Sequence, residues 1–231
     1  MMVVTGATGN IGRELVRQLH TEGRGSGVRA LTRDAARARA VLPAGVDLAE
    51  GDLGRADSLK SALDGARSLF LIAGVGDDAG ILDVARDAGV EHVVLVSSIT
   101  TVTHPHLGPA RANLAVERRL RESGMAWTVL RPTQFASNTL WWAEAVREES
   151  AVRVPYPDIG LPAVHPADIA SVARAGRGGA GPPRGGGPPP PSAVSHMRGM
   201  YVIRPSRGCR RRRPAPGSRP ARRRRGGGSG A

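Results

Sequence analysis

The sequence predicts an α/β fold built on a doubly wound parallel sheet, and three observations predict it. Short apolar runs rich in Val and Leu alternate with helical patterns from residue 1 to about residue 173. Runs such as Val93-Val94-Leu95-Val96 are apolar without interruption, which requires burial on both faces, the condition of a parallel strand covered by helices. A glycine cluster, Gly6, Gly9 and Gly12, falls directly after the first apolar run and opens the first helical one.

Met2 to Thr5 reads as the first strand. Ile11, Leu15, Val16 and Leu19 follow at helical spacing and make one buried stripe. Gly23 stands after it, where a helix stops on a residue that accepts left-handed backbone. Val28 to Thr32 and Ser68 to Ala73 read as further strands. Ile81, Leu82, Val84 and Ala85 form a second helical stripe, closed by Gly89. His92 to Ser97 is the next strand, followed by an amphipathic helix over Ala110 to Ser123, with Leu114 and Leu120 on its apolar side and Gly124 as its stop. Trp127 to Leu130 is the last strand of the series.

The formal charge of +13, taken alone, points to an acidic partner such as nucleic acid. Its distribution points elsewhere. Residues 1–173 hold 18 Lys and Arg against all 20 Asp and Glu, a net charge of −2, while residues 174–231 hold 15 Arg and no acid. Basicity is a property of the tail, so nucleic acid is not an expected partner of the folded part. After Ala173 the periodicity gives way to a Gly-Pro run over 185–191 and arginine blocks at 210–213 and 222–225, broken only by Met200-Tyr201-Val202-Ile203. Such a composition buries too little surface to offset its ordering entropy, and 174–231 is expected to be a disordered tail beside a domain of residues 1–173. With 32 Arg to a single Lys, the abrupt change at Arg174 also fits a shifted reading frame in a GC-rich gene, which would leave the substrate part of the fold truncated or scrambled. The lone Cys209 excludes a disulfide framework and a cysteine-rich metal site. No secretory leader and no long apolar span are present, so a cytoplasmic protein with no membrane partner is expected.

A glycine cluster between a strand and a helix is the context of a Rossmann-type nucleotide turn. Gly6 permits the tight turn, Gly9 lets the backbone approach a pyrophosphate, and Gly12 allows close packing of helix on strand. Thr8, Asn10 and Ile11 complete the cradle at the helix N-terminus, whose free N–H groups and dipole favour an anion. About twenty residues further on, an NAD-specific site places a carboxylate on the ribose hydroxyls. Thr32 and Arg33 stand there instead. A guanidinium pairs bidentately with a 2′-phosphate, so NADP(H) is favoured over NAD(H). The alternative reading is an ordinary surface arginine beside a helix-capping Asp34.

The Gly-x-x-Gly-x-x-Gly spacing resembles that of the short-chain dehydrogenase/reductase superfamily. Val4 to Gly12, Arg29 to Asp34, Gly51-Asp52-Leu53, Val93 to Ser98, Ser123-Gly124, Trp127 to Pro132 and His165 to Asp168 stand in the expected order. Through them residues 2 to about 172 resemble its atypical branch of NmrA-like proteins and NAD(P)H-dependent quinone oxidoreductases. The resemblance implies hydride transfer from NADPH to a small molecule, a quinone or similar electron-poor carbonyl. It implies that Asp52 and Leu53, after the third strand, lie near the adenine, although Asp after Gly is also a common turn residue. It places Gly74 beside the adenosine ribose or in a plain turn. Phe135, Asn138, Trp141 and Trp142 fall where the branch builds one wall of its substrate cleft. Adjacent tryptophans on a helix point about 100° apart, so at most one should face the substrate and the other the core.

The superfamily's usual Tyr-x-x-x-Lys pair is missing. Aligned through Glu117, the family pattern puts Asn113 at the lysine position and Pro109 at the tyrosine position, which argues against deprotonation of an alcohol. Quinone reduction asks for less, because the anion formed is delocalised and protons come from water. Ser97 and Ser98 either donate to a substrate carbonyl or satisfy local backbone. His106, with His104, is either a proton donor or simply exposed. Asp168 reads as a helix cap. Two other functions fit the residues: a non-catalytic dinucleotide-sensing regulator, and a truncated product whose basic tail binds nucleic acid without specificity. A homo-oligomer is compatible with each.

Overall fold

The structure, a computed structural model, describes residues 1–21, 27–154, 160, 162–176, 192–197 and 200–205. Six parallel strands form its centre: β1 (Met2–Val4), β2 (Val28–Thr32), β3 (Asp47–Glu50), β4 (Ser68–Ile72), β5 (His92–Val96) and β6 (Ala126–Pro132). Their order is β3-β2-β1-β4-β5-β6. The chain builds outward from β1 on one side, then returns to β4 on the other, and ligands of such sheets bind in the crevice this reversal opens at the strand C-termini. Thr5 closes the junction, its hydroxyl donating to the Phe70 carbonyl at 2.9 Å.

Successive strand residues point to opposite faces, and both faces are buried. On one, Leu15, Val16 and Leu19 of α1 (Asn10–Leu19) and Ile169, Ala170 and Ala173 of α8 (Pro166–Gly176) cover Val4, Val94 and Val96. On the other, Ile81, Leu82 and Ala85 of α4 (Asp78–Asp87) and Leu120 of α6 (Gly108–Glu122) cover Val3, Leu71 and Leu95. Each Leu, Ile or Val among them contributes roughly 1.5–3 kcal/mol on leaving water. Gln18 Nε2 donates to the Ala167 carbonyl at 2.9 Å and ties α1 to α8. The remaining helices, α2 (Ala35–Arg39), α3 (Lys60–Leu63), α5 (Thr100–Thr103) and α7 (Ala143–Glu149), are short.

Gly89 and Gly124 both adopt φ of 82° at their helix ends, as expected; Gly23 lies outside the described residues. Strand β3 escapes the apolar-run criterion because, at a sheet edge, Asp47 and Glu50 stay exposed and only Leu48 and Ala49 turn inward. Asp168 does not cap α8. The helix starts at Pro166, so the cap falls on His165, whose Nδ1 accepts from the Ala167 N–H at 3.1 Å, and Asp168 sits in the first turn.

The expectation of a structureless segment after residue 173 fails in part. Helix α8 runs on to Gly176, and β9 (Ser192–Met197) and β10 (Met200–Pro205) form an antiparallel hairpin. Strand β10 also pairs antiparallel with β6, from Met200 opposite Pro132 to Ile203 opposite Val129, so β6 is not an open edge. Met200-Tyr201-Val202-Ile203 is a run of β-forming apolar residues, and the outer backbone groups of β6 are a template for it. Met200 is buried in the α1-side core. The Gly-Pro run and the arginine blocks lie outside the described residues.

Because β10 lies between β6 and β9, a proline within it removes a ladder hydrogen bond with no solvent-facing alternative. Val202→Pro is expected to lower the free energy of urea unfolding by about 1–3 kcal/mol, the cost of leaving the ladder partner's carbonyl unsatisfied. An unchanged midpoint would detach residues 200–205 from the folded unit.

Candidate functional site

Gly6 leaves β1 with φ of 58°, a conformation glycine adopts without strain. Its carbonyl accepts from the Gly9 N–H at 2.9 Å, and the Gly9 carbonyl accepts from the Arg13 N–H at 2.9 Å to start α1. A Cβ on Gly12 would stand 2.2 Å from the Gly6 carbonyl oxygen and 2.9 Å from Ala7 Cα. Gly12 therefore serves the packing of helix on turn, rather than of helix on strand. Gly9 caps α1 in extended backbone and, as a glycine, supplies no side-chain cap; among the described residues no side chain takes its place. The first-turn N–H groups of a helix have no intrahelical acceptor, and here they open beside exposed Thr8, Gly9 and Asn10. Ile11 points into the core, so its contribution is its backbone N–H. A backbone turn of this kind, with Gly12 closed to a Cβ, fits a pyrophosphate.

Beside it, the carboxylates at the ends of β2 and β3 are already engaged. Asp34 accepts from the Arg37 N–H at 3.0 Å and caps α2, while Glu50 accepts from the Ala35 N–H at 3.1 Å. Arg33 is exposed, and no described residue pairs with it. Asp52 builds its own turn: Oδ1 accepts from the Gly54 N–H at 2.9 Å, and Arg55 lies 3.5 Å away. The Leu53 carbonyl accepts from the Asp77 N–H at 2.8 Å. A Cβ on Gly76 would meet that carbonyl at 2.3 Å, so the loops after β3 and β4 touch backbone to backbone. No sequence signal beyond its being glycine marked Gly76. Gly74, at φ of 82°, donates its N–H to Asp78 Oδ2 at 2.7 Å. Burial pushes the Asp78 carboxyl above its ordinary value, against the Gly74 hydrogen bond and with help from Asp77.

At the end of β5 the structure assembles a network that the sequence did not disclose. Ser97 donates to Glu117 Oε1 at 2.7 Å, and Glu117 is fully buried. Arg131 reaches the same carboxylate with Nε at 2.9 Å and Nη2 at 2.6 Å, and Arg121 Nη2 joins at 2.6 Å. Burial alone would raise the Glu117 carboxyl, but the bonds from Arg131, Ser97 and Arg121 outweigh it and hold the group below the usual carboxylate range. The available signal was a glutamate on the same helical face as Leu120. Ser98 is partly exposed, its Oγ accepting from the Thr100 N–H at 3.2 Å and hydroxyl at 2.8 Å. His104 and His106 are both exposed, their rings edge to face at 6.2 Å. Asn113 Oδ1 comes within 3.9 Å of the position a Gly74 Cβ would take, so α6 reaches the end of β4.

Phe135 lies in β7 (Gln134–Phe135), which pairs with β8 (Ala163–Val164), and packs on the α1-side core. Asn138 is half-buried on the 3-10 turn Ala136–Trp142. Trp141 is 77% exposed and Trp142 39%, beside Leu140 at 68%. Neither tryptophan enters the core, because the segment is a surface 3-10 turn rather than a packed helix. Among the described residues no helix is long and apolar enough to cross a membrane, and no group of side chains could hold a metal ion.

Comparison with known proteins bears on this geometry. The NAD(P)H-binding family profile matches residues 6–173. A (4-alkanoyl-5-oxo-2,5-dihydrofuran-3-yl)methyl phosphate reductase of Streptomyces griseus is 37% identical over 78% of this chain and 64% of its own length. An NAD(P)H azoreductase of Xenophilus azovorans is 34% identical over 75% and 62%. Among solved structures, an NADPH-dependent quinone oxidoreductase of Escherichia coli complexed with NADPH superimposes with a TM-score of 0.67 at 30% identity, over 75% of this chain and 63% of that one. A triphenylmethane reductase of Citrobacter sp. complexed with NADP(H) gives 0.66 at 25%, over 75% and 64%. The chain thus spans a little under two thirds of the length of these proteins.

The depressed Glu117 pKa makes its stabilisation complete above the unfolded carboxylate value, and that stabilisation is lost as pH falls through the folded value. Glu117→Gln, which leaves two guanidiniums short of a charge, is expected to cost about 3–5 kcal/mol of unfolding free energy at neutral pH. The gap should begin to narrow below about pH 4, the unfolded carboxylate value, and close only as pH falls through the lower folded value. Urea unfolding across pH measures it, and a gap constant into acid would remove the charge from the explanation.

Proposed function

The chain belongs to the NAD(P)H-binding family, and on that premise we propose that it is an NAD(P)H-dependent oxidoreductase acting on a quinone or comparable electron-poor conjugated acceptor. The observation that carries this reading is the uncapped, exposed N-terminus of α1, held by the Gly6 to Gly12 contact where the strand order reverses. The dinucleotide, when bound, supplies the hydride. The first-turn N–H groups of α1 hold its pyrophosphate, and the loops carrying Asp52, Leu53 and Gly74 flank its adenosine half. Asn113, Ser97 and Ser98 then lie along the strand ends towards the reacting half. Phe135, Asn138 and Trp142 stand on the acceptor's side, with His106 a surface proton source.

The acceptor class follows from what the site lacks. Pro109 and Asn113 occupy the positions of the usual tyrosine and lysine, so neither of those positions takes a proton from an alcohol. A conjugated acceptor delocalises the charge it receives and needs no such base. The similar proteins' names, an azoreductase, a quinone oxidoreductase and a triphenylmethane reductase, all describe acceptors of that kind. NADPH is preferred because Asp34 and Glu50 are spent on α2 while Arg33 remains unpaired among the described residues. A second reading, a dinucleotide sensor without turnover, is favoured by the exposed Leu140 and Trp141, which leave an apolar surface for a partner. A nucleic-acid role gains no support from a domain of net charge −2.

Steady-state NADPH oxidation with 1,4-benzoquinone is expected to separate the two, since binding without turnover would favour the sensor. Arg33→Ala is expected to weaken NADPH by about 1.5–3 kcal/mol, or roughly 10- to 150-fold, and NADH hardly at all. Calorimetry that found equal losses for both would show that Arg33 does not read the 2′-phosphate.

A further inference from the structure

We propose that Leu53 and Gly76 form a fixed bridge across the end of β1, which is the wall of the crevice opposite α1. Gly76 is its positioning residue and sets how closely that wall approaches the adenosine half of the dinucleotide. This rests on the reading of the chain as a dinucleotide-binding protein. Strands β3 and β4 are not neighbours, since β2 and β1 lie between them. At about 4.8 Å per step, three steps put their ends roughly 14 Å apart, yet the loops that leave them touch. The Leu53 carbonyl accepts from the Asp77 N–H at 2.8 Å. A Cβ on Gly76 would lie 2.3 Å from that oxygen and 2.6 Å from the Leu53 carbonyl carbon. Leu53 packs on the core of the α4 side, whereas α1 covers the other face. The glycine turn and the bridge therefore stand on opposite sides of the end of β1.

Both piers of the bridge are tied down. On the β3 side, the Asp52 N–H donates to Ser58 Oγ at 2.9 Å and the Arg55 N–H donates to the Asp52 carbonyl at 2.9 Å, so the loop closes on itself. On the β4 side, Asp78 Oδ2 accepts from the Gly74 N–H at 2.7 Å and Asp77 Oδ1 accepts from the Gly80 N–H at 3.0 Å. These bonds join the loop to the first turn of α4. Gly80 repeats the close approach one turn on, where an added Cβ would stand 2.9 Å from the Ala56 Cβ. Two glycines four residues apart thus seat α4 on the segment that carries Leu53. A methyl group at position 76 would meet backbone, not the end of a flexible side chain, and is accommodated only by parting the two loops.

Parting them divides the ligand. The bridge borders the adenosine half, whereas the reacting half lies further along the strand ends, towards β5. Substitution of Gly76 should loosen the first before the second, and a general loss of structure would loosen both alike.

The test uses the full chain and NADP⁺. Calorimetry gives the affinity, and saturation-transfer NMR compares protein contact with the adenine protons and with the nicotinamide protons of the same molecule. Gly76→Ala is expected to weaken NADP⁺ at least about tenfold, the equivalent of one or two hydrogen bonds, and to lower the adenine-to-nicotinamide ratio. An unchanged affinity overturns the proposal. So does a weakened affinity with an unchanged ratio, which would mean that Gly76 supports the whole domain and not one wall. If Gly76→Ala does not fold, Asp78→Ala takes its place, judged by the same two readouts. It removes the acceptor of the Gly74 N–H and frees the β4 pier; Asp78 Oδ1 has no partner among the described residues, so no second hydrogen bond is lost with it. Wild type that fails to bind NADP⁺ overturns the dinucleotide reading and the proposal together, whereas wild type that binds, matched by the variant, overturns the bridge alone.

Discussion

Helix α1 leaves β1 with the Gly12 backbone against the Gly6 carbonyl, where a single added carbon would lie 2.2 Å from the oxygen. That closeness sets the direction in which α1 departs, and with it most of one face of the sheet. Leu15, Val16 and Leu19 fall onto the strands only along that line, and α8 docks in turn on α1 through Gln18. The same contact leaves the N-terminal end of α1 facing out of the crevice, uncapped. One steric constraint thus sets the packing of this face and leaves the helix end open at the same time.

The two buried carboxyls near the strand ends show how differently a protein treats a charge. Glu117 loses its water, at a cost of several kcal/mol, but receives two guanidiniums and a hydroxyl in return and stays ionised. Asp78 receives one backbone N–H and an acidic neighbour, and its pKa moves upward. The first arrangement stiffens the junction of α6, β5 and β6. The second holds Gly74 in its turn.

The parts of this structure that were legible in the sequence are those fixed by neighbours within one helical turn or one strand. The glycine turn declares itself because three missing side chains at fixed spacing have few other uses, and Gly89 and Gly124 because helix ends need left-handed backbone. Glu117 could be placed on its helix but not understood, since only Arg121, one turn further along the same helix, is a neighbour in sequence, while Ser97 and Arg131 come from the ends of other strands and meet it only after folding. Gly76 was opaque for the same reason, its constraint being a carbonyl of a different loop. The tryptophan pair misled because periodicity assumes an α-helix over residues that form a 3-10 turn. Strand β10 was visible as four apolar residues, yet a strand is recognised by what it pairs with, and composition around it pointed the other way.

The position of β10 has a consequence for how the chain folds as it is made. Most strands find a partner soon after they emerge: β2 pairs with β1, β5 with β4 and β6 with β5. The outer edge of β6 must wait from residue 132 until residue 200 has been synthesised. At about 5–20 residues per second that is roughly 3 to 14 s, during which a nascent chain on a ribosome displays an unpaired strand from an otherwise assembled sheet. The vulnerable species is therefore the nascent chain caught between those two points, and crowded translation on one message would expose that edge to its neighbours.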